Sequence, residues 1–407
     1  MKVAILSHGL QSRSERLQPY RTLLEMGRQL EKLGHEVVCI SDGASEAETD
    51  DTVLGLRVER VPAMRMFRGQ RNDALVELVN REAPDRILWH LGLGSFIHQQ
   101  VANVFEQPTI AVVTSPVHSL SDLMRPGPAA LSTNLDLLSM HLSGLVVPGM
   151  FIRQAFHPGG LEGVNTLSEV TRQFLIERGA PAERIWVVPP GVGEEWTEAM
   201  VQPEDCYTLR EQLGFTPQDF VVVYFGSPAP VRGIYTMLKA VEEVAADHPN
   251  LRLLILSRRW SGQWGSATSR LQDTVSGNGS KQRVKVVDGF LHPDALVRHI
   301  VASDAVCLPF EIVPSDVPLS ILEAMAVQRP VITTQVASLP ELVADGRGYV
   351  AQAASVPSLA GRLREIIEQP DVAQRTGQKA AQFVRDERTW SDMGAALETV
   401  LTENVAG

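Results

Sequence analysis

Short apolar runs alternate with longer amphipathic stretches along the chain, and this rhythm constrains the fold more than any other feature. The first run, Val3–Leu6, is followed by apolar residues at helical spacing over Leu17–Leu33 and by a second run at Val37–Ile40. Strand, helix and strand in this order indicate right-handed crossover units and a parallel sheet. Further strands of the first half are predicted at Arg86–Trp89, Ile110–Val113, Leu145–Val147 and Ile185–Val188.

The same rhythm restarts in the second half of the chain. The strand predicted at Phe220–Phe225 ends at Gly226, and a helix is predicted over Ile234–Ala246. The further predicted strands are Leu251–Leu256, Val284–Val287, Ala305–Leu308 and Val331–Thr333, and the further predicted helices are Leu319–Gln328 and Leu359–Gln369. The predicted fold class is therefore α/β, with two Rossmann-like, doubly wound parallel-sheet domains that face each other across a cleft.

The boundary between the two halves is predicted near Pro189–Gln202, where two prolines and two glycines favour a turn-rich linker. We expect an N-terminal domain at residues 1–195 and a C-terminal domain at residues 196–385. Residues 386–407 contain the amphipathic segment Thr389–Leu401, which in a fold of this kind crosses back to the N-terminal domain. The segment Ser261–Ser280 is rich in Gly, Ser and Asn and is predicted to be a loop.

Composition and charge argue against several classes of protein. The chain has 407 residues and a net charge of −11, which disfavours a nucleic-acid partner. No apolar stretch reaches the roughly 18 residues that a membrane span needs, and the N-terminus lacks the features of a signal peptide. Three cysteines without paired spacing indicate neither a disulfide framework nor a zinc site, which fits the reducing environment of a cytoplasmic location.

The segment Pro309–Gly348 carries the clearest chemical pattern. A predicted strand, a loop and a helix beginning near Leu319 follow one another, and Ser315 or Asp316 is expected to cap that helix. A helix N-terminus that points into a cleft favours a phosphate. Glu323, one turn into the helix, is placed to accept hydrogen bonds from a ribose hydroxyl pair. The alternative, an ordinary surface glutamate, is disfavoured by its apolar neighbours.

This segment resembles the C-terminal signature of the family 4 glycosyltransferases, which have the GT-B fold. The resemblance rests on LEAMAVQRPVITT followed by LPELVADGRGYV, where the family has two glutamates separated by seven residues and the second lies in Leu-Glu-Ala-Met-Ala. Weaker resemblances follow in the order of the family at GHEVV (Gly34–Val38), PDRILWH (Pro84–His90), VVPPGV (Val187–Val192) and FGSPAPVRG (Phe225–Gly233).

The resemblance implies a retaining, metal-independent transfer of a sugar from a nucleoside diphosphate sugar, UDP- or GDP-linked, to a hydroxyl acceptor that is a saccharide, a lipid-linked molecule or a small molecule. By position, Arg232 takes the place of the diphosphate-binding lysine, Glu323 that of the ribose-binding glutamate, and His118 resembles the histidine near the donor sugar. These three form the predicted catalytic set. The predicted nucleotide-binding set is Gly9, Gly226, Ser227, Arg232, Ser315, Asp316, Leu319, Ser320 and Glu323.

The chain departs from the family pattern at two functional positions. Ser315 stands where the first glutamate of the pair is expected, and Ser227 stands where an arginine is expected. The usual Gly-Phe-Gly is replaced by Asp-Val-Pro. A donor-sugar carboxylate and one phosphate cation are therefore missing from their usual places. The candidate replacements are Glu311 or Asp316 for the carboxylate and Arg258 or Arg259 for the cation.

There are three alternatives to a transferase function. A nucleotide-sugar 2-epimerase would need a carboxylate and a histidine in the cleft as acid and base, and the sequence identifies no such set. A dinucleotide oxidoreductase is disfavoured because no Gly-x-Gly-x-x-Gly follows the first strand of either half. A non-catalytic nucleotide-sugar-binding protein is motivated by Ser227 and Ser315.

Two further features have open interpretations. His90, after a predicted strand, either lines the acceptor side or is structural. The basic, apolar stretch that contains Arg65, Arg68 and Arg71 with Met64, Met66 and Phe67 is either a solvated face or a peripheral contact with anionic lipid or with the acceptor.

Overall fold

A computed structural model describes residues 1–43, 51–66, 70, 72–125, 142, 144–197, 202–258, 271, 273–275 and 282–403. Two sheets organise this part of the chain, one with eight strands and one with six. The predicted α/β class with two parallel-sheet domains is confirmed.

The first sheet has the strand order β3-β4-β2-β1-β5-β6-β7-β8. Every neighbouring pair is parallel except β3 and β4, which are antiparallel. Its strands are β1 (Lys2–Leu6), β2 (Glu36–Asp42), β3 (Thr52–Val53), β4 (Leu56–Val61), β5 (Arg86–Leu91), β6 (Thr109–Val113), β7 (Gly163–Thr166) and β8 (Ile185–Val187). The chain leaves β1 toward β2 on one side and later toward β5 on the other, which is the reversal expected of a doubly wound sheet.

The second sheet has the order β11-β10-β9-β12-β13-β14 and is parallel throughout. Its strands are β9 (Phe220–Gly226), β10 (Leu251–Ser257), β11 (Val284–Asp288), β12 (Ala305–Cys307), β13 (Val331–Thr334) and β14 (Tyr349–Ala351). The central strand β9 is apolar on both faces, and all five residues from Val221 to Phe225 are buried. Burial on both faces is what a parallel sheet covered by helices requires.

Helices connect the strands of both sheets. They are α1 (Tyr20–Lys32), α2 (Asp73–Glu82), α3 (Ser95–His98), α4 (Leu120–Met124), α5 (Gly149–Ala155), α6 (Glu169–Glu177), α7 (Glu194–Thr197), α8 (Pro203–Gln212), α9 (Ile234–Val244), α10 (Pro293–Val301), α11 (Leu319–Ala326), α12 (Leu339–Leu342), α13 (Val356–Glu368), α14 (Pro370–Glu387) and α15 (Trp390–Glu403). No helix among the described residues has the length and apolar composition needed to cross a membrane.

The last helix, α15, packs against α1 of the N-terminal sheet. The contact is close at Gly394, where an added Cβ would lie 2.6 Å from the Cβ of Gln29. His35 and Glu398 form a further contact at 3.3 Å. Just before α15, Val192 pairs with Thr389 in a parallel bridge, so the chain crosses between the two sheets twice at one place.

Three local predictions differ from the structure. A strand at Leu145–Val147 is wrong, because Gly144 and Leu145 are helical and the seventh strand is instead β7. That strand is short and partly polar, and its buried Asn165 accepts a hydrogen bond from the Val188 N–H at 3.1 Å. The strands β3, β4 and β14 were missed. The loop predicted at Ser261–Ser280 lies outside the described residues, apart from 271 and 273–275, which are helical.

We predict that Gly394→Ala destabilises the protein, because the new methyl group overlaps Gln29 across the α1–α15 contact. Overpacking of this kind lowers the free energy of unfolding by roughly 1–3 kcal/mol. The matched control is Gly361→Ala in α13, where an added Cβ meets nothing within 4 Å. There alanine should stabilise the helix by roughly 0.5–1 kcal/mol. The thermal unfolding temperature should therefore fall for Gly394→Ala and rise for Gly361→Ala. Equal shifts in the two variants would contradict the packing described for α15.

Candidate functional site

A cavity of about 500 Å³ lies between the two sheets. Most of its wall comes from loops that follow strands of the C-terminal sheet, and the segment before α1, the linker and the start of α15 complete it. The lining residues are Arg16, Gln18, Arg21, Val192, Gly193, Glu195, Trp196, Phe225, Gly226, Arg232, Leu256, Arg258, Gly289, Phe290, Leu291, His292, Pro293, Asp294, Leu296, Pro314, Ser315, Pro318, Leu319, Ser320, Glu323 and Trp390. The cavity lies at the edge where ligands of open parallel sheets bind.

Arg232 is held by the turn that follows β9. The turn ends at Gly233, whose φ is 77°, and an added Cβ there would lie 1.9 Å from the carbonyl oxygen of Pro309. Only glycine fits this close approach. The guanidinium carbon of Arg232 lies 5.4 Å from the ring centre of Phe310. Its Nη1 would be 3.1 Å from a Cβ on Gly226, so the glycine that ends β9 leaves the guanidinium room.

Arg258 approaches the same region from the end of β10. Its backbone N–H donates to the carbonyl oxygen of Gly226 at 3.1 Å. Burial lowers the pKa of Arg258, the charge of Arg232 lowers it further, and Glu323 raises it. Among the described residues, no carboxylate lies within ion-pair distance of Arg232 or Arg258. Two neighbouring guanidinium groups without a paired carboxylate form a site that favours a multiply charged anion.

Helix α11 begins beside these arginines. Its N-cap is Pro318, which has no side chain able to bond the helix N–H groups, so the predicted caps Ser315 and Asp316 are wrong. Proline is compatible with this position because it lies outside the helical hydrogen bonds. Leu319 and Ser320, the first two helical residues, line the cavity. The start of α11 therefore faces the cavity without a side-chain cap.

Glu323 lies one turn further along α11 and lines the cavity. Burial raises the pKa of this carboxyl group to about 7; the charges of Arg258 and Arg21 lower it, and Glu195 raises it. The carboxyl group therefore lies among charged groups from the end of β10, from the first turn of α1 and from α7.

Ser315 lines the cavity and is 3% exposed. Its hydroxyl has no hydrogen-bond partner within the described part of the chain. A buried hydroxyl of this kind is stabilised when a ligand supplies the partner. At the position of the missing glutamate, the chain therefore has a serine whose hydroxyl has no protein partner among the described residues and which lines the cavity.

Neither candidate for the missing carboxylate lines the cavity. Asp316 is fully buried and accepts hydrogen bonds from Ser168 and Thr171 of the N-terminal sheet domain. Glu311 is buried and accepts a hydrogen bond from the Thr236 hydroxyl at 2.7 Å. Of the candidate cations, Arg258 lines the cavity, and Arg259 lies outside the described residues.

Three other predicted site residues do not line the cavity. His118 is buried, and its Nε2 donates to the carbonyl oxygen of Val313 at 3.2 Å; burial lowers its pKa. The Gly9 N–H donates to Asp42 at 2.6 Å, and its φ of 75° explains the glycine. The carbonyl oxygen of Ser227 accepts a hydrogen bond from the Tyr224 hydroxyl.

His90 lies in a polar network at the end of the N-terminal sheet. Its Nδ1 is 3.0 Å from the Ser7 hydroxyl and its Nε2 is 2.9 Å from the Thr114 hydroxyl. Burial lowers its pKa to about 3, and His8 contributes to the decrease, so the ring is neutral at physiological pH. With both ring nitrogens in hydrogen bonds to its own domain, this histidine has a structural environment.

The basic stretch after β4 is only partly described. Met64 and Met66 are buried, so their side chains face the protein interior. Arg65 lines a second cavity of about 630 Å³ on the N-terminal sheet, together with His8 and Asp42. Phe67, Arg68 and Arg71 lie outside the described residues.

Several residues that line the cavity were not predicted from the sequence. The Phe290 ring is 60% exposed, and the guanidinium carbon of Arg16 lies 5.2 Å from its centre. Arg21 pairs with Glu25 at 2.7 Å and lies 5.9 Å from the ring of Trp390. These residues belong to segments that are far apart in sequence and carry no motif. Gly289, which follows β11 and precedes Phe290, is the one local sequence signal of a turn there.

Two family models match the chain. The model described as a glycosyl transferase 4-like domain matches residues 19–191, and the model described as glycosyl transferases group 1 matches residues 207–383. Both models describe glycosyl transferases: the C-terminal part of the chain belongs to the glycosyl transferases of group 1, and the N-terminal part is a glycosyl transferase 4-like domain. The second match contains Arg232, Arg258, Ser315 and Glu323.

Curated relatives agree with this assignment. The chain is 29% identical over 204 residues to a GDP-mannose-dependent monoacylated alpha-(1-6)-phosphatidylinositol monomannoside mannosyltransferase of Corynebacterium glutamicum, covering 49% of this chain and 51% of the relative. It is 26% identical over 246 residues to a D-inositol 3-phosphate glycosyltransferase of Geodermatophilus obscurus, covering 60% and 53%. The chain therefore spans about half the length of these relatives.

Solved structures share the fold. HepE of Anabaena in complex with UDP is 18% identical and has a TM-score of 0.73 over 99% of this chain and 100% of that chain. At this identity the similarity establishes the architecture of two facing sheets, which is the predicted GT-B fold.

We predict that Glu323 makes stability depend on pH. Its pKa in the folded protein, about 7, lies above the ordinary value of 4.5, so the folded state holds the proton more tightly. The resulting stabilisation is present below about pH 4.5 and is lost as the pH rises through 7. Relative to Glu323→Gln, the wild type should lose on the order of 1–3 kcal/mol of stability between pH 5 and pH 8.

Thermal unfolding of both proteins across this range measures the difference. The control Glu365→Gln, on the outer helix α13, should not change the pH dependence. Parallel curves for wild type and Glu323→Gln would contradict the raised pKa.

Proposed function

We propose that the protein is a retaining glycosyltransferase that moves a sugar from a UDP- or GDP-linked donor to a hydroxyl acceptor without a metal ion. The observation that carries the proposal is that Arg232 and Arg258 line one cavity and that no carboxylate of the described residues lies at ion-pair distance from either. Glu323 and the uncapped start of α11 line the same cavity.

The leaving group of such a transfer is a nucleoside diphosphate, on which negative charge develops as the glycosidic bond breaks. Preorganised positive groups stabilise that charge most effectively in a site shielded from water. Arg232 and Arg258 supply two guanidinium groups, and the N-terminus of α11 adds N–H groups and a positive dipole end. This set of groups performs the charge neutralisation for which other enzymes use a divalent cation.

The nucleoside is expected to bind between Glu323 and Phe290. A carboxylate accepts hydrogen bonds from both hydroxyls of a ribose, and the exposed ring of Phe290 offers a face for a base. HepE of Anabaena, which shares the fold, has been solved with UDP. The Corynebacterium relative is named as GDP-mannose-dependent. These names support the two donor bases proposed here without choosing between them.

The donor sugar is expected near Ser315, whose hydroxyl faces the cavity without a partner among the described residues. The acceptor is then expected to bind on the N-terminal sheet domain. The relatives are named as transferases to a phosphatidylinositol monomannoside and to D-inositol 3-phosphate, which supports a polyhydroxyl acceptor. Retention of the anomeric configuration is expected from the family signature.

A second candidate function is a nucleotide-sugar-binding protein without transferase activity. It is favoured by Ser315, because the carboxylate usual at this position is absent and neither Glu311 nor Asp316 lines the cavity. Turnover separates the two functions, since both bind nucleotides.

We predict that Arg232→Ala and Arg258→Ala each weaken binding of UDP and GDP by roughly 10- to 100-fold, because each removes a charge-assisted contact of about 1.5–3 kcal/mol. Isothermal titration calorimetry measures the affinities. Binding of uridine should change much less, because the guanidinium groups are assigned to the phosphates.

The control for these variants is Arg362→Ala on α13, an arginine that pairs with Glu365 outside the cavity. It should leave nucleotide binding unchanged. Wild-type affinity in both cavity variants would remove the basis for the site.

We predict that the wild type turns over at least one donor in a panel of UDP- and GDP-sugars, either by transfer to a polyhydroxyl acceptor or by slow hydrolysis. NMR of the product should show the anomeric configuration of the donor, and excess EDTA should leave the rate unchanged. Binding without turnover for every donor and acceptor would favour the non-catalytic function, and an EDTA-sensitive rate would contradict the role assigned to the arginines.

A further inference from the structure

Asp316 joins the two sheet domains through buried hydrogen bonds. The residue is fully buried. Its Oδ2 accepts hydrogen bonds from the Ser168 hydroxyl at 2.7 Å and the Thr171 hydroxyl at 3.0 Å, both at the start of α6. Its own N–H donates to the carbonyl oxygen of Thr114, at the end of β6, at 2.9 Å. Side chain and backbone of one residue thus hold two loops of the N-terminal sheet.

A second carboxylate of the C-terminal domain meets the same helix. Glu341 accepts hydrogen bonds from the N–H groups of Glu169 at 3.2 Å and Val170 at 3.4 Å. The first N–H groups of a helix need acceptors, and the N-terminal end favours negative charge. The start of α6 is therefore capped partly by its own Ser168 and partly by the other domain.

The contact extends directly to the cavity. Ser315 precedes Asp316 and lines the cavity, and Pro318 and Leu319 follow it and line the cavity as well. The carbonyl oxygen of Asp316 accepts a hydrogen bond from Ser338, which fixes the loop on its other side. Consecutive Cα atoms are about 3.8 Å apart, so any displacement of Asp316 moves Ser315 and the start of α11.

The hydrogen bonds, more than the charge, define the role of Asp316. Burial raises the pKa of its carboxyl group to about 7, the bonds from Ser168 and Thr171 lower it, and Glu341 raises it. Near neutral pH the group therefore holds its place as an acceptor of hydroxyl hydrogen bonds in both protonation states. Asparagine retains a carbonyl oxygen for these bonds, whereas alanine does not.

We propose that Asp316 is a positioning residue that fixes the donor loop Ser315–Leu319 against the N-terminal sheet domain, so that the sugar end of the donor is held in line with an acceptor on that domain. The inference rests on the proposed transferase function. Asp316 does not line the cavity, and it acts through Ser315 and α11.

The test compares Asp316→Ala, Asp316→Asn and Ser168→Ala with the wild type. Calorimetry with UDP and GDP reports the nucleotide site, and steady-state kinetics with the donor used by the wild type reports turnover. We expect Asp316→Ala to lower kcat by about tenfold or more while the nucleotide Kd changes by less than about threefold, because misplacement of reacting groups lowers the rate without removing the binding contacts. Ser168→Ala should lower kcat less, and Asp316→Asn should retain kcat within about threefold.

The matched control is Asp219→Ala. Asp219 is also a buried carboxylate, bonded to Thr216 within the C-terminal domain, and it lies outside the cavity wall. This variant should lower the unfolding temperature while kcat is retained. If Asp316→Ala behaves like this control, its role is structural only and the proposal fails. It also fails if the nucleotide Kd rises as much as kcat falls, or if the asparagine variant loses as much kcat as the alanine variant.

Small-angle X-ray scattering tests the same contact independently of activity. Asp316→Ala should increase the radius of gyration of the unliganded protein, and Asp316→Asn should not. If the wild type turns over no donor, the proposed function fails, and an unchanged radius of gyration in Asp316→Ala would still overturn the contact proposed here.

Discussion

The candidate site depends on the crossing of two loops of the C-terminal sheet, one after β9 and one after β12. The carbonyl oxygen of Val231 accepts hydrogen bonds from the N–H groups of both Glu311 and Ile312, each at 2.9 Å. Gly233 lies so close to Pro309 that any side chain would overlap the carbonyl oxygen. This crossing fixes Arg232 relative to the segment that leads into α11. Without it, the arginine and the helix N-terminus would belong to two independently moving loops.

The sequence contains most of the fold because burial on both faces leaves a clear pattern. Strands such as β9 and β10 are uninterrupted apolar runs, and their bounds were predicted to within a residue. The strand β7 was missed because it is short and contains the buried polar residue Asn165, whose side-chain oxygen accepts a hydrogen bond from the Val188 N–H. The false strand at Leu145–Val147 has the composition of a strand, yet composition does not specify where three apolar residues pack. Propensity is a weak guide when a segment is this short.

The site was predictable where local geometry determines it. Arg232 lies in the turn after β9 and Glu323 one turn into the helix that follows β12, and both line one cavity because the carboxyl ends of parallel strands meet along one edge. Asp316 was assigned to the nucleotide and lies instead among hydroxyl groups of the other domain, which no local pattern indicates. Arg16, Arg21 and Trp390 reach the cavity only through the packing of α1 and α15. Their placement depends on tertiary contacts that are distant in sequence.

The double crossing of the chain at Val192 and Thr389 limits how the two domains can move relative to each other. Gly191 packs against the backbone of Thr389, where an added Cβ would lie 2.1 Å from its carbonyl carbon, so the two crossing segments are in direct contact. Two covalent connections that pass through one point allow rotation about that point and resist separation or sliding. Any opening of the space between the sheets would therefore be a rotation about this point, and it would have to break the buried hydrogen bonds of Asp316 to Ser168 and Thr171.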